Sequence, residues 1–166
     1  MEKLPLSILC QQNGGCMSCC GHNYPSTEKI KEAIEINTQE FHQANPQTRQ
    51  EFLTFRNRTE LYNLRFGVCR NLILLPSGQF GCPLHPFLHD NKDLREGHCD
   101  INYLCKTAKQ FSTWKPEKQH AFLTFIKSKN LNNIEYSLQI DNNSLLHEFG
   151  QCTIATDRKI NILKRN

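Results

Sequence analysis

No stretch of this chain reaches the roughly eighteen consecutive apolar residues that a membrane-spanning helix requires, so a membrane partner is not expected. The apolar run Leu4–Leu9 ahead of the first cysteine is too short for the core of a signal peptide. Leu9 is also too large for the small residue expected before a cleavage site, and the reading that follows is a cytoplasmic protein. Several chemistries are missing too. There is no Gly-rich phosphate loop, no nucleophile elbow, no His-Glu-x-x-His helix and no Cys-x3-Cys-x2-Cys run of a radical enzyme. Catalysis therefore has no motif of its own here. The charge is mildly basic, 20 Lys and Arg against 16 Asp and Glu. Those residues are dispersed, apart from Lys164-Arg165, so they read as a solvated surface rather than the basic stripe of a nucleic-acid binder. No internal repeat or low-complexity linker divides the chain, and residues 1–166 are expected to form a single domain.

What the chain does have is cysteine, nine residues of it. Four lie within the first cluster: Cys10, Cys16, Cys19 and Cys20. Cys69, Cys82, Cys99 and Cys105 answer it downstream, and only Cys152 stands apart. Crowded thiols are tied by disulfides or by a metal. A reducing cytosol, an odd count and the adjacent pair Cys19-Cys20 all favour the metal. Thiolate is a soft ligand that suits zinc or an iron–sulfur cluster. Eight cysteines can be divided in several ways. Two tetrahedral zinc sites would use all eight, whereas one iron–sulfur cluster would use four. The spacing specifies neither: the compact ferredoxin run is absent, and Cys16-x2-Cys19 is the only Cys-x2-Cys knuckle. Buried thiols without an ion, or structural disulfides, are the competing readings.

Among the histidines, His22, His85, His89 and His98 lie near cysteines and are candidate nitrogen ligands, with His85, three residues after Cys82, the first to test. His42, His120 and His147 fall on expected helices. Asp90, Asp93, Glu96 and Asp100 gather near the late cysteines and read as a solvated loop.

The expected fold class is α+β: several helices, a short β-hairpin and metal-bound loops. The cysteine region spans about 10–110 and is followed by a helical or mixed extension. Residues 10–24 read as a loop with turn-permitting glycines. Ser26 caps a helix, with Ile30, Ala33, Ile34 and Phe41 at helical spacing. Asn45-Pro46 reads as a second start, burying Phe52, Phe55, Leu61 and Tyr62. A hairpin over 66–82, turning at Pro76-Ser77-Gly78-Gln79, carries Cys69 on one strand and Cys82 at the end of the other. Residues 83–98 are irregular. Further helices are expected over 99–111, from Pro116 and over 141–149, with a strand over 134–140.

The pattern of Cys10-Gln-Gln-Asn-Gly-Gly-Cys16-Met-Ser-Cys19-Cys20, then Cys69, then Phe80-Gly-Cys82-Pro-Leu-His85-Pro86 and Cys99 through Cys105 resembles the YkgJ-like cysteine-cluster family. Its members are described as carrying a zinc- or iron-chelating domain, and some are linked to protein lysine methylation. The resemblance covers roughly residues 10–110 and implies that the matching cysteines hold the metal. Residues 87–98 are an insertion relative to that pattern, and Cys99 is an additional cysteine. The expected function is thus a metal-binding protein holding zinc or an iron–sulfur cluster through Cys10, Cys16, Cys19, Cys20, Cys69, Cys82, Cys99 and Cys105. The alternatives are an iron–sulfur enzyme or electron carrier, or a zinc–thiolate redox switch supported by the Cys19-Cys20 pair.

Overall fold

A computed structural model describes residues 7–152. Leu4 to Leu6 and Lys164-Arg165 lie outside the described residues. The fold is α+β, with helices around two very small antiparallel sheets.

Helix α1 (Thr27–Ala44) starts where the sequence places it: Ser26 Oγ accepts from Lys29 N at 3.3 Å, and Glu28 sits in the first turn. Ile30, Ala33, Ile34 and Asn37 recur every three to four residues and form its buried face. Asn45 does not open the next helix. It closes α1 in the left-handed region at φ 40°, which Asn tolerates better than most residues. Helix α2 (Arg49–Arg56) begins four residues later, behind a Thr48–Glu51 capping box. It buries Phe55, while Leu61 and Tyr62 lie beyond its end and are exposed.

The single hairpin expected over 66–82 is two. Strands β1 (Leu64–Arg65) and β2 (Val68–Cys69) pair across Phe66 and Gly67, which are both at positive φ, the requirement of a tight hairpin turn. Strands β3 (Ile73–Leu74) and β4 (Phe80–Gly81) pair across the expected 76–79 turn. Cys82 follows β4 as anticipated, but Cys69 belongs to the earlier hairpin.

Three further expectations change. Residues 8–14, read partly as loop, form a 3-10 segment (Ile8–Gly14) broken by a kink at Gln12 and Asn13, whose backbones are not helical. The helix expected from 99 begins only at α3 (Lys106–Ser112), because the side chain of Asp100 ties Asn102 N into a turn at 3.0 Å. The expected strand 134–140 is helix α5 (Asn133–Asp141). Ile134, Tyr136, Leu138 and Ile140 alternate, yet Asn132 and Glu135 make a capping box that fixes the helical start. Helix α4 (Pro116–Ser128) begins at its proline as expected. Residues 144–152 are also helical, beginning three residues later than expected, with Ser144 N capped by Asn142 Oδ1 at 2.9 Å. No helix among the described residues is long and apolar enough to cross a membrane.

The core is in two clusters. One gathers Leu9, Phe111, Phe122, Ile126, Tyr136, Ile140, Leu145 and Phe149, with Ala108. The other gathers Met17, Ile30, Ala33, Ile34, Val68, Leu72 and Ile134. The N-terminal segment and α5 contribute to both, through Leu9 and Met17 and through Tyr136 and Ile134. Cys16 and Cys105 pack against the first cluster and Cys20 against the second.

Candidate metal centre

The first cysteine segment is pinned by its backbone. Tyr136 OH donates to the carbonyl of Leu9 at 2.7 Å, anchoring the 3-10 helix that carries Cys10. Cys16 N then donates back to Cys10 O at 2.9 Å, folding the segment over Gly14 and Gly15. Gly15 has φ 94°, and a Cβ there would lie 2.4 Å from Phe80 O, so only glycine fits. Met17 is fully buried, and its N–H donates to Ser137 Oγ at 3.0 Å. Cys20 N donates to Met17 O at 2.8 Å. This turn presents Cys19 and Cys20 side by side, sulfurs 3.8 Å apart.

The second segment is tied to the first. Cys69 N donates to Cys20 O at 2.7 Å, and His22 N to Gly67 O at 2.9 Å. From the other side, buried Asn37 of α1 donates to the carbonyls of Cys69 and Leu72, both at 3.0 Å. Asn37 is itself held by Arg65, which also donates to Glu40 at 2.6 Å. Glu40 additionally receives Arg58 at 2.9 Å, and Arg58 donates to the carbonyl of Arg70 at 2.6 Å. Burial alone would raise the Glu40 carboxyl; hydrogen bonds from Arg65 and Arg58 overturn that and bring it to about 2.

The third and fourth segments lack such a frame of regular structure. Cys82 follows β4, with His85 N donating to its carbonyl at 3.1 Å. The 83–98 stretch is held by Arg56, which donates to the carbonyls of Leu94 and Glu96, both at 2.9 Å. Arg95 forks onto Asp93 at 2.9 and 2.7 Å, and the Asp93 side chain is only 2% exposed. Asp93, read from sequence as part of a solvated loop, is therefore an internal ion-pair partner. Cys105 caps α3, its Sγ accepting from Ala108 N at 3.4 Å.

Cys10, Cys16, Cys19, Cys20, Cys69, Cys82, Cys99 and Cys105 all line one cavity of about 420 Å³. Cys152 does not, and lies exposed at 151–152 of the final helical stretch. His22 and His98 also line the cavity; His85 and His89 do not. His85, the histidine singled out from sequence, instead accepts from Phe87 N at 3.3 Å and caps a short 3-10 turn, Pro86–Leu88. His89 packs on Phe52 and bonds the carbonyl of Pro83 at 2.7 Å. Sequence reasoning missed Ser18, Asn71, Arg95, Tyr103 and Asp141 on the cavity wall. None carries a spacing signal. Only the Asp93-x-Arg95 pairing could have flagged Arg95.

Burial dominates the electrostatics. It pushes the Cys10 thiol up to about 12 and Cys99 to about 11, and raises Cys16, Cys69, Cys82 and Cys105 as well. Cys19 goes the other way, to about 7, chiefly through its hydrogen bond with Cys20, and Cys20 rises in exchange. Among the described residues, Arg95 is the one Lys or Arg on the cavity wall, and its positive charge also lowers Cys19.

As donors, these eight thiols fit a thiolate-bound group: they are soft, they face a common space, and that space is far larger than the 10–15 Å³ or so that one water needs. Among the described residues, no three His, Cys, Asp or Glu side chains already converge on a single ion.

No protein-family model, curated protein or solved structure matches this chain.

Proposed function

We propose that this protein binds a metal centre, zinc or an iron–sulfur cluster, through the cysteines of this cavity. The observation that carries the reading is selective convergence. Eight cysteines from segments nearly a hundred positions apart line one cavity, and the ninth, Cys152, is elsewhere. Gathering eight half-buried or exposed thiols around one cavity has no benefit for packing that Val or Ala would not supply. Thiolates bound to a cation, in contrast, recover the cost of deprotonation and desolvation from the metal–sulfur bonds. The residues that would hold the group are Cys10, Cys16, Cys19, Cys20, Cys69, Cys82, Cys99 and Cys105, and His22 and His98 stand beside them as further donors. Bound, the centre would supply cross-links across the 83–105 segment, where little apolar side chain is buried. A reducing, cytoplasmic setting keeps such thiols available to a metal. The reading does not depend on kinship with YkgJ-like proteins.

Elemental analysis and an absorption spectrum of anaerobically purified protein test it. Stoichiometric zinc in colourless protein, or iron and sulfide with a visible band that bleaches on reduction, is the expected result. Protein that carries neither, and takes up neither when offered both, overturns it.

A second reading, a thiol switch, is favoured by the 3.8 Å Cys19–Cys20 contact and the lowered Cys19. It requires the vicinal pair to oxidise and metal to leave. Retention of all metal through mild peroxide treatment would dispose of it.

A further inference from the structure

We propose that the opening of this cavity is a binding site for a small organic cation, a protonated or quaternary ammonium group carried on an apolar body. Tyr62, Tyr103, Asp100 and Asp141 form it. None of them is a thiol, so the site stands apart from the metal reading above.

Tyr62 and Tyr103 both line the cavity, yet they are 75% and 49% exposed, so they stand at its opening. Asp100 and Asp141 line it too and are likewise exposed. One turn brings a ring and a carboxylate together. Tyr103 N donates to Asp100 O at 3.2 Å, and the Asp100 side chain is fixed on Asn102 N at 3.0 Å. A second turn places Tyr62, closed by Asn63 N on Glu60 O at 3.2 Å. Tyr62 has φ 60°, in the left-handed region, where the third residue of such a turn is ordinarily Gly or Asn. A bulky ring on that backbone costs stability, and at 75% exposure it recovers little by burial. Strain of this kind gathers at ligand sites.

The charge of the wall selects a cation. Arg95 is already forked onto Asp93 at 2.9 and 2.7 Å, so its charge is balanced. Among the described residues, Asp100 and Asp141 make no ion pair. An anion would meet these two carboxylates, whereas a cation is attracted to both. Aromatic faces add to that attraction, because the ring quadrupole is negative above the ring and draws a cation within about 6 Å of its centre. Leu64 and Leu104, half-buried on the same wall, supply apolar surface for the body of the ligand. At about 420 Å³ the cavity falls within the roughly 300–1,000 Å³ of small-molecule sites.

Calorimetric titration of anaerobically purified protein tests this, with metal content measured alongside and with benzyltrimethylammonium, benzyl alcohol and phenylacetate as probes. The cation is expected to bind one equivalent, about tenfold tighter than the neutral alcohol, with phenylacetate the weakest. No binding of the cation, or equal binding of all the probes, overturns the site. Tyr62→Asn should weaken the cation about fivefold without lowering the melting temperature, because asparagine tolerates the positive φ better than tyrosine. Asp141→Asn should weaken the cation and leave benzyl alcohol unchanged. Retention of full cation affinity by both variants also overturns the site. Phe87→Ala truncates a 67% exposed ring that does not line the cavity, and it should bind as wild type. A loss there equal to that of Tyr62→Asn would assign the binding to exposed aromatic surface in general and sink the proposal. Cation binding by protein that takes up no metal leaves this site standing while the metal reading falls; metal-loaded protein that ignores the cation does the reverse.

Discussion

The amide of Cys69 donates to the carbonyl of Cys20 at 2.7 Å, joining the first cysteine cluster to a hairpin forty-nine positions further along the chain. The isolated bridge between Gly21 and Val68 continues the contact. Two of the cavity's cysteines are thereby placed by main-chain hydrogen bonds, independent of any bound group.

That junction tolerates no side chain at Gly21, where a Cβ would lie 2.0 Å from Gly67 O. Gly21→Ala is expected to destabilise the protein by about 1–3 kcal/mol, the usual cost of forcing extra atoms into a packed site. It should also reduce metal content. Gly150→Ala is the control: nothing lies within 4 Å of its Cβ position, on a helical stretch, and a gain of about 0.5–1 kcal/mol is expected. Urea unfolding of both variants measures this; equal effects would refute the steric account.

Tyr136→Phe removes the donor to Leu9 O, a buried bond of 2.7 Å. Leaving that carbonyl unpaired should cost about 1–3 kcal/mol. Hydrogen exchange should quicken at the amides of Cys10 and Cys16 while α1 amides are unchanged. Uniform quickening across the protein would show that Tyr136 serves the whole core and not this anchor.

Glu40 gives a pH signature. Its carboxyl is held at about 2, below its ordinary 4.5, so it contributes stability that is fully present above 4.5. That contribution fades as pH falls from 4.5 toward 2. Glu40→Gln should lose on the order of 1–2 kcal/mol at pH 7, the partial exposure of the network moderating the loss. At pH 2 the variant and wild type should converge. A stability gap that persists undiminished at pH 2 would count against this ion-pair cluster.

Removal of metal should act locally. The 10–24 and 83–105 segments are expected to become protease-sensitive in chelator, while the circular dichroism of α1 and α4 persists. Cys152→Ser should retain its metal and behave as wild type. Chelation that leaves the proteolysis pattern unchanged would separate the cavity from any structural metal.

Much of the helical framework is legible from local chemistry. Ser26 and Pro116 mark true starts, and the 76–79 turn closes a true hairpin, because caps and turns act within three or four residues. Asn45-Pro46 misled because asparagine favours a helix end as readily as a start. The alternation through Ile134, Tyr136, Leu138 and Ile140 misled because over so few residues it fits a helix equally well, and a cap decided between them.

The first cysteine cluster was visible in the sequence because thiols crowd a chain rarely, but spacing does not separate Cys69, 49 positions beyond Cys20, from Cys152, 47 beyond Cys105; the fold brings the one to the cavity and leaves the other away. Tertiary structure decided what spacing does not encode. It turned His85 away to cap a turn, brought His98 and Arg95 to the wall, and buried Asp93 as the partner of Arg95. It also brought Cys10 and Cys105, ninety-five positions apart, into one cavity beside the cluster that holds Leu9 and Phe111. Sequence by itself determined which residues are candidate thiol ligands, because side-chain identity is local. Their meeting depended on burying apolar faces and pairing main-chain groups between distant segments, and only the folded chain satisfies those together.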